Sequence, residues 1–183
     1  MQIKPEGLEK HLEGALAPIY VVGGEELLQV EESLDLIRQA ARRAGFDERI
    51  VMDVDASFDW NVLEANRDTL SLFAERRLLD VRISGGKPGD EGSKALSAYA
   101  DAPPDENTLL LVSVGELDNR GRRAKWYQNL DRAGVAVHAW PVDPDHLPRW
   151  IDTRARGRGY RIEADAAAEL AARTEGNLLA CAQ

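Results

Sequence analysis

The segment Gly23-Gly24-Glu25-Glu26-Leu27-Leu28-Gln29 comes nearest to a recognisable chemistry in this 183-residue chain. A glycine pair between an apolar run, Ile19-Tyr20-Val21-Val22, and a long amphipathic segment can present backbone N–H groups to an anion at a helix N-terminus. A triphosphate turn needs more: in G-x-x-x-x-G-K-[ST] the lysine meets the β/γ-phosphates and the hydroxyl holds Mg²⁺. Here no lysine, serine or threonine stands in place, and Glu25 and Glu26 put carboxylates where phosphate would sit. Negative charge repels negative charge, so Gly23, Gly24 and Glu25 read as a degenerate nucleotide loop that does not bind, with Gly23 serving a tight turn. A Mg²⁺-nucleotide site also wants an acid at the end of a buried strand. The apolar run 108–114 is followed only by Gly115-Glu116 and, further on, Asp118, which read as loop or capping acids.

Other reactive constellations are missing. Neither G-x-S-x-G nor H-E-x-x-H occurs, so no intrinsic catalysis is expected. Three scattered histidines (His11, His138, His146) and a lone Cys181 disfavour a zinc site and exclude an internal disulfide, which leaves no metal and no cofactor expected. His138, within an apolar run, reads as a core or edge residue. The lone cysteine, the lack of an apolar N-terminal core and the absence of a run near 18 apolar residues point to the cytoplasm and to no membrane.

The formal charge is −9, yet residues 120–161 hold ten Lys/Arg against four acids. Such an excess can follow nucleic-acid phosphates, or it can simply cover solvated helix faces. A nucleic-acid-binding module and an atypical P-loop-like NTPase therefore stand as the alternative functions.

The elements that must carry these groups alternate. Strands are predicted at 19–22, 49–54, 78–83, 108–114 and 135–138. Helices are predicted from Pro5 through Leu8, Leu12 and Leu16, over 25–44, after the cap Asp59 through Trp60, Leu63 and Ala65, over 92–100 and over 119–132. The 25–44 helix is the firmest: Leu27, Val30, Leu34, Ile37, Ala41 and Ala44 form one stripe, and Gly45 stops it. This βα alternation predicts a five-stranded parallel sheet flanked by helices. Pro141, Pro144 and Pro148 then introduce a region of helices alone, near 146–157, 164–173 and from Leu178, which reads as a helical domain cut partway.

One feature has no place in that scaffold. Ser71-Leu72-Phe73 precedes the third strand, and adjacent Leu72 and Phe73 cannot share one narrow helical stripe. Either one packs inward while the other projects, or both project as a hydrophobic plug, or both seal the sheet edge.

Several segments together resemble the delta subunit of bacterial DNA polymerase III, the clamp-loader member that opens the sliding clamp. They are Tyr20-Val21-Val22-Gly23-Gly24-Glu25, Phe58-Asp59-Trp60-Asn61, Ser71-Leu72-Phe73-Ala74-Glu75-Arg76-Arg77, Leu147-Pro148-Arg149-Trp150-Ile151 and Glu175-Gly176-Asn177-Leu178-Leu179-Ala180. The resemblance implies an AAA+-like clamp-binding domain without a working P-loop over 1–140, and an incomplete helical lid over 141–183. It implies Leu72 and Phe73 as the plug entering the clamp, with Ser71, Ala74 and Arg76 as supporting neighbours. It also implies a subunit of a DNA-directed DNA polymerase holoenzyme. The expected partners are the sliding clamp, the other loader subunits through a collar domain lacking here, and DNA within the assembled loader.

Overall fold

A computed structural model describes residues 1–68, 75–115 and 117–183, and they form two compact units, Met1–Ala139 and Trp140–Gln183. The first unit is built on six parallel strands in the order β1-β6-β2-β5-β4-β3. They are β1 (Gln2–Ile3), β2 (Ile19–Gly24), β3 (Glu48–Val54), β4 (Arg77–Ile83), β5 (Thr108–Val114) and β6 (Val135–Ala139). The sixth strand, β1, exceeds the five expected from sequence. Two residues carry no periodicity; β1 is defined by pairing Gln2 with Ala136 and Ile3 with Val137.

Period-two alternation divides the core between the two sheet faces. Val21, Val81 and Val112 point to one face, where α3 (Asn61–Asp68), α4 (Gly89–Asp101) and α6 (Lys125–Ala133) supply Leu63, Leu96 and Leu130. Tyr20, Val22 and Leu111 point to the other, covered by α1 (Pro5–His11) and α2 (Leu27–Arg43) through Leu8, Leu34 and Ile37. The α2 stripe is as expected except at Leu27, the first residue of the helix, which is 65% exposed. Beyond its end, Gly45 takes φ +85° and the Phe46 N–H reaches back to the Ala41 carbonyl at 3.1 Å.

The single helix expected over 119–132 is two. Ala124 is extended (φ −64°, ψ 142°) between α5 (Asn119–Arg123) and α6, and both Trp126 and Tyr127 of α6 are buried. Trp60 and Trp126 are buried in the core of the first unit, whereas Trp140 is 37% exposed.

The second unit holds α7 (Leu147–Gly157), α8 (Ala164–Thr174) and α9 (Leu178–Ala182). Leu147, Ile151, Ala167 and Leu178 form its buried positions, and Asn177 Oδ1 caps α9 by accepting the Ala180 N–H at 3.0 Å. No helix among the described residues is long and apolar enough to cross a membrane.

Asp80 on β4 was not singled out from sequence, yet it is fully buried. Its Oδ2 accepts Nε of Arg38 on α2 at 3.1 Å and Nε of Arg49 on β3 at 2.9 Å, and Arg82 Nε lies 3.8 Å from Oδ1. The carboxylate thus joins the edge strand β3 to α2 through charge-assisted bonds. Asp80→Asn should remove the charge that Arg38 and Arg49 share, leaving Arg38 only the exposed Asp35 at 3.0 Å, and cost about 3 kcal/mol, read as a lowered urea midpoint. An unchanged midpoint would refute the role.

Candidate functional site

The glycine pair closes the C-terminal end of β2, at the crevice where ligands of open parallel sheets sit. Gly23 lies inside the strand, paired with Val114 and His138, and not in the tight turn expected from sequence. A Cβ there would stand 2.8 Å from the Val114 carbonyl oxygen and 3.1 Å from the Leu117 side chain, so glycine permits close strand approach. Gly24 has φ +148°, and a Cβ would fall 2.1 Å from the Ala139 carbonyl oxygen. That same oxygen accepts the N–H groups of Glu25 at 3.0 Å and Glu26 at 3.3 Å. The donors that a phosphate turn would aim outward are spent on the end of β6.

The rest of the turn is filled from within. The Glu26 carboxylate accepts the Leu28 N–H at 3.4 Å, occupying the α2 N-terminus with the chain's own anion. Burial pushes the Glu26 carboxyl upward, with the Leu28 N–H opposing. Leu117 is fully buried against Gly23. Asp118 accepts the Gly121 N–H at 2.7 Å, which lowers its carboxyl and makes it a helix cap, as expected from sequence; Glu116 lies outside the described residues. Among the described residues no group of three His, Cys, Asp or Glu is placed to hold a metal ion.

His138 shares this edge. It is buried on β6 opposite Gly23, and burial, then the nearby Arg122 charge, pull its imidazole down to about 4. It is a neutral core histidine at physiological pH.

The second candidate segment is described only through its flanks, of which the downstream one enters the sheet at the N-terminal edge, where β4 begins. Ser71, Leu72, Phe73 and Ala74 lie outside the described residues; their flanks are described. Upstream, Asp59 Oδ1 caps α3 by accepting the Asn61 N–H at 3.0 Å, and Trp60 wedges against Gly92, where a Cβ would meet its ring at 2.4 Å. Phe58 packs edge-on to Trp60 with centroids 5.1 Å apart. Downstream, Arg76 is half-buried and turned inward. Its Nη1 donates to the Ala44 carbonyl at 2.9 Å, and its guanidinium lies 5.4 Å from the Phe46 ring centroid.

The basic stretch 120–161 is divided between the two units. Arg120, Arg122, Arg123, Lys125 and Arg132 belong to the first unit, and Arg149, Arg154, Arg156, Arg158 and Arg161 to the second. Several cations are also engaged: Arg122 with Gln2 Oε1 at 3.2 Å, Arg156 with Asp152 at 2.9 Å, and Arg158 with the Ala182 carbonyl at 2.8 Å.

A parallel sheet with a closed phosphate turn, followed by a helical unit, defines an AAA+-type fold. Solved structures agree. The Bacillus subtilis DNA clamp loader delta protein superposes with a TM-score of 0.72 at 22% identity, covering 98% of this chain and 55% of that one. A Thermotoga maritima RuvB structure superposes at 0.56 and 14% identity, covering 97% and 59%. Residues 20–140 match the family described as DNA polymerase III, delta subunit, and the chain belongs to that family. It is 30% identical over 183 residues to the Escherichia coli DNA polymerase III subunit delta and 26% identical over 185 to that of Haemophilus influenzae. In both cases the chain spans about half of the relative, 53%.

The depressed His138 makes a pH signature. The unfolded chain takes up this proton near pH 6.5, whereas the folded chain resists until about 4. Its contribution is therefore intact above 6.5 and is lost as pH falls through that window, on the order of 2 kcal/mol. His138→Phe should flatten the fall in urea-unfolding free energy between pH 6.5 and 4. An identical slope in both proteins would contradict a neutral buried imidazole.

Proposed function

We propose that this chain is the clamp-contacting portion of a clamp-loader delta subunit, which binds a sliding clamp and favours its opened form without nucleotide chemistry of its own. The observation that carries the reading is the Ala139 carbonyl taking both amides of the phosphate turn, in a member of the delta family. An ATPase-shaped body whose anion site is satisfied internally is suited to mechanical work on a partner. The atypical NTPase alternative lacks free turn amides, and for the DNA-binding alternative several of the cations, Arg122, Arg156 and Arg158 among them, are already engaged within the fold.

In this reading Leu72 and Phe73 enter an apolar pocket of the clamp, flanked by Ser71 and Ala74. The driving force is burial of two large apolar side chains, each worth roughly 1.5–3 kcal/mol. Opening needs only a higher affinity for the opened ring than for the closed one, which shifts the ring's equilibrium. The first unit supplies the contacting body and the second acts as a helical lid. Other loader subunits are the partners that control access, and DNA is met within that assembly.

The test is surface-immobilised clamp titrated with the wild-type chain and with Leu72→Ala/Phe73→Ala. The double variant should bind about 100-fold more weakly or worse, with an unchanged melting temperature. Equal affinity would remove the plug assignment.

A further inference from the structure

The two arginines that follow Ser71-Leu72-Phe73-Ala74-Glu75 are directed into the fold. Arg77 is 7% exposed at the first position of β4. Its Nη2 donates to the Arg67 carbonyl in the last turn of α3, and its Nε to Thr108 Oγ1 on β5, each at 3.4 Å. Because Arg67 and Arg77 are ten residues apart in the chain, this guanidinium ties the two ends of the intervening segment together. The backbone is fixed on both sides too: the Arg77 N–H donates to the Asn107 carbonyl at 2.9 Å, and the Arg76 carbonyl accepts the Glu48 N–H at 3.5 Å.

Arg76 fastens the same junction to a third element. Its Nη1 bonds the Ala44 carbonyl, one of those left open at the end of α2, and its guanidinium lies over Phe46, itself only 8% exposed. A positive charge is favourable at this helix C-terminus. A side chain committed to a carbonyl and an aromatic face is poorly placed to reach a partner as well.

We infer that Arg76 and Arg77 are positioning residues for the Leu72–Phe73 contact: together with Phe46 they fasten the start of β4 to the ends of α2, α3 and β5, and Arg76 does not itself touch the clamp. This rests on the proposed clamp-binding reading and replaces the role of a supporting contact for Arg76. Guanidinium geometry matters here, since one planar group donates to the carbonyl while stacking on the ring, which an ammonium does less well.

A double-mutant cycle on the full chain, with immobilised sliding clamp as the probe, separates the outcomes. Arg76→Ala and Phe46→Leu should each weaken binding, by about 10-fold and about 3-fold, with Arg76→Lys between wild type and Arg76→Ala. In a Leu72→Ala background both penalties should shrink toward unity, because the contact they position is already impaired. A penalty for Arg76→Ala of the same size in both backgrounds would mean direct contact and overturn the inference. So would unchanged affinity for both variants while Leu72→Ala still weakens binding. If Leu72→Ala/Phe73→Ala leaves affinity intact, the clamp-binding reading itself fails, and the inference falls with it. Melting temperatures accompany each variant; should Arg76→Ala not fold, Phe46→Leu and Arg76→Lys carry the cycle.

Discussion

The carbonyl oxygen of Ala139 is the point on which the functional reading turns. It accepts from Glu25 and Glu26, two N–H groups that in a nucleotide-binding sheet would face a phosphate. The arrangement depends on the two glycines. Gly24 lets the chain pass so near β6 that any side chain would collide with that oxygen, and Gly23 brings β2 against β5 over the Leu117 side chain. Glycine in such a turn usually signals space for a ligand. Here it signals that protein occupies the space, and the Glu26 carboxylate completes the replacement at the helix end.

With the C-terminal edge closed, interest moves to the opposite edge. In an all-parallel sheet each crossover returns the chain to the N-terminal ends of the strands, and this is the edge at which Arg76 and Arg77 lead into β4. That edge is held by polar fastenings: Arg77 to the α3 and β5 termini, Arg76 to the end of α2, and, further along the strands, Asp80 between α2 and β3. The apolar core sets where α3 begins, through Trp60 and Leu63, and the arginines set where the following strand begins. The proposed clamp contact of two apolar side chains has little area to spare, so its placement would matter as much as its hydrophobicity.

Much of the scaffold was legible in the residues themselves. The three-four spacing from Val30 to Ala41 and the unbroken apolar run of β5 are local signals, and both elements stand where that spacing puts them. The failures arise where partners distant in sequence decide the outcome. β1 is two residues recruited by β6, and the break at Ala124 separates two helices that periodicity alone runs together. Asp80 looked like one polar residue in a strand, because its two principal arginine partners come from other elements. At the turn, the missing lysine and hydroxyl were visible at once, whereas the acceptor that replaces phosphate lies on the last strand of the sheet. The inward orientation of Arg76 was equally invisible, since it depends on the carbonyl that α2 leaves open at Ala44.

The most direct test of a closed phosphate turn is amide hydrogen exchange at Glu25 and Glu26, followed residue by residue in the presence and absence of millimolar Mg-ATP. Both amides should exchange slowly in the free protein, as hydrogen-bonded donors do, and nucleotide should leave their rates unchanged. Rapid exchange in the free protein, or protection that rises on adding Mg-ATP, would show the turn open to phosphate and contradict the account.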